Sequence, residues 1–69
     1  LMIPSTYDEW YVCIVDECKI ELNQNYINER LSILTNDTLE ETRIFRKKYG
    51  DKHWRDVIGW FNRAKQENA

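Results

Sequence analysis

Glycine occurs twice and proline once in this chain of 69 residues. With only Gly50 and Gly59, a glycine-rich loop that cradles phosphate is excluded. Histidine occurs once, as His53, and the cysteines are Cys13 and Cys18. No HExxH or CxxC spacing exists, and structural zinc usually takes four ligands at recognisable intervals, so neither a metal nor any other cofactor is expected. No run of 18 apolar residues is present, which leaves no helix able to span a bilayer, and no membrane partner is expected. The first residues lack the basic flank and apolar core of a secretory leader. On a helix the C-x4-C cysteines stand about 140° apart around the axis, so a disulfide between them would need a bend. They read as buried free thiols, which suits a reducing, cytoplasmic setting.

What remains is the composition of a small folded domain. Apolar residues make up 42% of the chain, with three Trp, four Tyr and two Phe. A chain of this size buries only about 60% of its unfolded surface, so a lone core is marginal. The large aromatic side chains either compensate or lie partly in a partner interface. One domain spans residues 1–69, with residues 1–5 and 67–69 expected to fray.

Charge is divided unevenly along the chain. Residues 1–42 hold nine acidic and two basic side chains, a formal −7, whereas residues 43–69 hold eight basic and three acidic, a formal +5. The whole-chain value of −2 conceals both. Such a split bears on partners and orientation more than on fold.

Periodicity predicts an all-α fold: a small bundle of three or four short helices. Thr6 with Glu9 forms a capping box for a helix from about Tyr7 to Ile20, with Tyr7, Trp10, Tyr11, Ile14 and Cys18 on one face. The alternative is an N-terminal β-hairpin followed by helices. Residues 10–15 are aromatic and β-branched and residues 18–22 alternate, but the turn between them lacks Gly or Asn. Asn23 or Asn25 caps a second helix bearing Ile27, Leu31 and Leu34. Asp37 with Glu40 makes a capping box for a third, with Phe45 and Tyr49 on one face and Gly50 as its C-cap. Asp51 is positioned to cap a fourth, whose stripe is Trp54, Val57, Ile58 and Phe61. Trp60 falls off that stripe beside His53, and Gly59 lies on the polar face. The expected core is Trp10, Ile14, Cys18, Ile27, Leu31, Leu34, Phe45, Trp54, Val57, Ile58 and Phe61.

Chemistry-bearing constellations are few. Asp16-Glu17 and Glu40-Glu41 are adjacent pairs whose side chains diverge by about 100° on a helix, so neither makes a carboxylate dyad. His53 has no nucleophile and orienting group implied around it. The chain is therefore expected to be non-enzymatic. Trp, Tyr and Arg are the residue types enriched at binding hot spots, which points to a patch of Trp60, Arg63, Arg55, His53 and Tyr49. The expected function is a small intracellular protein-interaction or regulatory module. Its partner is another protein or the chain itself, as a homodimer steered by the two charge blocks. The competing reading is a nucleic-acid-binding accessory module using Arg43, Arg46, Lys47, Lys48, Lys52 and Arg55, since a helix–Gly–helix unit has the outline of a helix-turn-helix element. Asp51, Asp56 and the acidic overall balance oppose it. The plainest alternative is a soluble helical domain whose acidic and basic halves complement each other within one chain.

Overall fold

The structure, a computed structural model, describes residues 3–68. Four α-helices follow one another: α1 (Tyr7–Val12), α2 (Gln24–Leu34), α3 (Glu40–Tyr49) and α4 (Asp51–Glu67), with a π-helical turn over Cys13–Glu17 after α1. No strand occurs among the described residues, which removes the hairpin alternative. Of the expected fraying, residues 1, 2 and 69 lie outside the described residues.

The first helix is shorter than its periodicity predicts. The expected helix to Ile20 stops being α-helical at Val12, and Cys18 N–H closes a π turn onto the Cys13 carbonyl at 2.9 Å. Val12, Ile14 and Val15 are β-branched, and Asp16 and Glu17 put negative charge where the helix dipole disfavours it. Lys19 then takes φ +58°, the left-handed region that usually ends a helix on Gly or Asn. The alternating residues beyond it form neither helix nor strand, and Leu22 is buried. This corrects two expectations. Cys18 is exposed rather than in the core, because the helix that would have carried it inward has ended. Leu22, not foreseen as core, is buried in its place.

Caps were partly legible. Thr6 Oγ1 accepts from Glu9 N–H at 3.2 Å, while the Glu9 carboxylate accepts from Ser5 N–H at 2.9 Å and from the Ser5 hydroxyl at 3.1 Å. Asn23 Oδ1 accepts from Tyr26 N–H at 2.8 Å and opens α2. The Asp37–Glu40 capping box does not form. Asn36 Oδ1 takes Thr38 N–H instead, Leu39 occupies the cap position, and the Asp37 carboxylate is drawn to Arg46. Asp51 likewise is the first residue of α4 rather than its cap. Gly50 alone separates α3 from α4, with φ +89° and ψ 158°, a backbone conformation open to glycine and strained for a side-chain-bearing residue.

Helix α4 is the spine. Its apolar stripe meets α1 through Trp10, whose ring stands edge-on to Phe61 at 4.8 Å between centroids. It meets α2 antiparallel, with Gln24 Nε2 donating to the Lys65 carbonyl at 3.0 Å near one end and Trp54 Nε1 donating to the Leu34 carbonyl at 2.9 Å near the other. The core gathers Tyr7, Trp10, Leu22, Ile27, Leu34, Val57, Phe61 and Ala64, with Ile14, Leu31, Phe45, Trp54 and Ile58 packed partly buried against it. Ile27 is fully buried, a contribution of about 1.5–3 kcal/mol.

Candidate functional site

The basic residues divide by what already holds them. Arg46 donates to Asp37 at 2.7 Å and to Asp51 at 3.0 Å, and its guanidinium lies 4.0 Å above the Trp54 ring. The hydrogen bond from Arg46 holds the Asp51 carboxyl below its usual range, and the Asp51 contact in turn raises the guanidinium further. Lys52 pairs with Asp56 at 3.0 Å. Arg63 pairs with Glu67 at 3.2 Å and stacks 4.0 Å over the Tyr7 ring, while the Tyr7 hydroxyl donates to Glu67 at 2.9 Å. Burial, then the Glu67 contact, pushes the Tyr7 phenol up to about 12. The same hydrogen bond, followed by Arg63, holds the Glu67 carboxyl down. Arg43, Lys47 and Arg55 are exposed and carry no ion pair among the described residues. The six cations expected to meet phosphate are thus unequal, since Arg46 and Lys52 already have carboxylate partners.

The five expected interface residues separate in the same way. Trp60 does not protrude. It is half-buried between the Trp10 ring at 6.2 Å and the His53 ring at 5.9 Å. Arg63 belongs to the Tyr7–Glu67 cluster, and Arg55 is exposed on α4. Tyr49 and His53 are brought together across the α3–α4 corner. Their ring centroids lie 5.9 Å apart, and Phe45 sits 5.0 Å from Tyr49 and stacks on His53 at 5.9 Å.

These three rings floor an open groove of about 770 Å³. Its other wall is α1 and the π turn, through Val12, Cys13 and Glu17, and Ile3 and Pro4 also line it. The lining is mainly apolar, and its charged members are carboxylates: Asp8, Glu9 and Glu17. The Ser5 backbone N–H holds the Glu9 carboxyl below its usual range, so this rim residue stays ionised. Burial and the neighbouring Cys18 thiol push the Cys13 thiol up, away from the reactive thiolate. Ile3 and Val12 remain 52% and 44% exposed, which is high for large apolar side chains beside an aromatic floor. Sequence spacing brought out Tyr49 and His53 but missed Phe45, Val12 and Ile3 as site residues. The available signal was that Val12 is an apolar residue off the inward stripe of its own helix.

Among the described residues, no three His, Cys, Asp or Glu side chains gather as a metal-holding group, and no helix is long and apolar enough to cross a membrane. Comparison with protein-family models, with curated proteins and with solved structures finds no match for this chain.

Proposed function

We propose that this chain is a small non-catalytic interaction module that holds an apolar segment of a polypeptide in the groove between α1 and the α3–α4 corner. The observation that carries the reading is the pairing of an aromatic floor (Phe45, Tyr49, His53) with the exposed apolar wall of Val12 and Ile3. An apolar helix face laid into such a groove buries both, which is how amphipathic helices are commonly recognised. The non-catalytic part of the proposal rests on the groove's chemistry: rim carboxylates, and a thiol whose acidity is suppressed rather than enhanced. Two free thiols fit a reducing, cytoplasmic setting for the module. The expected patch is thereby moved. Tyr49 and His53 face the partner, Trp60 supports His53 from behind, and Arg63 and Arg55 stand outside.

The test is a titration of isotope-labelled chain with a neutral amphipathic helical peptide of Leu, Ala and Gln. Amide shifts should concentrate at Val12, Cys13, Phe45, Tyr49 and His53. The double variant Val12→Asp, Tyr49→Ser should weaken binding at least tenfold with the helical circular dichroism unchanged. Absence of shifts at these residues sinks the reading. A duplex DNA titration at low salt supplies the competing arm: binding mapped to Arg43, Lys47 and Arg55 would replace the groove with a nucleic-acid surface.

A further inference from the structure

We infer that the occupant of the groove is a basic amphipathic helix, whose apolar side chains lie on the aromatic floor and whose Lys or Arg residues, about two turns apart, meet the carboxylates at the two ends of the α1 wall. The inference rests on the groove being a docking site, as proposed above, and adds the chemistry of what docks there.

The charge of the groove has one sign and one side. Residues 3–18, which supply the α1 wall, contain Asp8, Glu9, Asp16 and Glu17 and no Lys, Arg or His. Asp8, Glu9 and Glu17 line the groove, are exposed, and join no ion pair among the described residues. Both bonds from Ser5 end on Glu9 Oε1, so Oε2 remains available to a cation. The cations next in sequence to lining residues are Lys19, Lys48 and Lys52, and none of them lines the groove. Lys52 is held by Asp56, and Lys48 Nζ lies 5.3 Å from the centre of the Tyr49 ring, on the α3 side. His53 is the one lining side chain able to take a positive charge, and it is stacked on Phe45 in the floor, opposite the carboxylates.

The order of residues along the wall gives the pattern of the partner. Asp8 and Glu9 stand near the start of α1, Val12 and Cys13 follow one turn later, and Glu17 ends the π turn. Side chains four apart on a helix are neighbours, so Asp8 adjoins Val12 and Glu9 adjoins Cys13. The wall therefore runs acid, apolar, acid. Glu17 lies eight positions beyond Glu9, a rise of roughly 12 Å. On a helix laid along this wall, cations about seven or eight positions apart span the same distance, with apolar residues between them over Val12 and the floor. An acidic helix would meet repulsion at both ends. Opposite charges at two points fix register and suppress wrong partners, while the apolar centre supplies the buried area.

The experiment titrates the isotope-labelled full chain with three helical peptides that share one Leu stripe. Two positions seven apart, flanking the stripe, are Lys in the first peptide, Gln in the second and Glu in the third. At 50 mM NaCl the Lys peptide should bind about tenfold more tightly than the Gln peptide, and the Glu peptide more weakly than either. At 500 mM NaCl the Lys advantage should shrink to about threefold or less. The double variant Asp8→Asn, Glu17→Gln keeps side-chain shape, and its helical circular dichroism is checked first. In it the ratio of Gln to Lys dissociation constants should fall to about threefold or less. Lys and Gln peptides that bind the wild-type groove alike overturn this inference and leave the docking site standing. A Lys preference that survives the double variant also overturns it, since the cations then meet other groups. Groove shifts that grow with chain concentration alone, without peptide, make the occupant a second copy and overturn it as well. If none of the peptides shifts the groove residues, the docking site itself is removed.

Discussion

Thr42 is a polar residue with no exposed surface, and its hydroxyl donates to the Ile33 carbonyl at the end of α2. A neutral hydrogen bond of this kind is worth about 1 kcal/mol net. Thr42→Val keeps the shape and removes the donor, so urea denaturation should show a loss of about 1 kcal/mol with an unchanged slope. Thr42 stands at helical spacing from Phe45 and Tyr49, yet nothing in that spacing announces that this face meets a free carbonyl of another helix. Arg46 was illegible for the same reason. It was counted among the surface cations, whereas its partners Asp37 and Asp51 come within reach only when the α3–α4 corner folds. Charges could be counted from the chain; their partners depend on approach between segments. Trp54 was read correctly as facing inward, but its indole N–H bond to Leu34 belongs to the packed state alone.

At the scale of helices, the two glycines make opposite demands. Gly50 holds φ +89°, and no atom lies within 4 Å of where a Cβ would stand, so any penalty there comes from backbone strain alone. Gly59 sits in the interior of α4 with equally open space and no positive φ. Thermal melts should therefore move in opposite directions. Gly50→Ala should cost about 1–3 kcal/mol, and Gly59→Ala should gain up to about 1 kcal/mol through helix propensity. The stripe of α4 was fully legible because four apolar residues at helical spacing have only one way to face the core. The first helix was legible only at its start. Thr6 signals where it begins, but the switch to a π turn and the left-handed Lys19 depend on Leu22 finding burial, which periodicity does not encode. The groove shared that fate: its rings were on the page, but the wall opposite them is set by how α1 ends.

Across the whole molecule, the Tyr7–Arg63–Glu67 cluster ties the first helix to the last turns of α4. Its titration gives stability a direction in pH. The neutral Tyr7 phenol is favoured on folding, its ordinary value of 10.0 being raised to about 12. Its contribution is complete below pH 10 and is lost as pH rises through about 12. The depressed Glu67 and Asp51 carboxyls act oppositely: what they add is present above the ordinary carboxylate range and disappears as acid protonates them. Melting temperatures should thus fall at both extremes. Tyr7→Phe, having no phenol to ionise, should flatten the alkaline fall while lowering stability at neutral pH. The helix count and the central part of α4 were foreseeable, because every predicted stripe needs a partner surface and α4 offers the widest. That spine is also the last of the four described helices to be made. Trp10 finds Phe61, and Gln24 finds the Lys65 carbonyl, only after the residues between them have left the ribosome. At ribosomal speeds of about 5–20 residues per second, the aromatic face of α1 waits roughly 3–10 s for its counterpart. The nascent chain therefore carries α1 as an unpaired, acidic, indole-bearing segment until α4 has been made, and the docking of α1 follows that of α2 on α3.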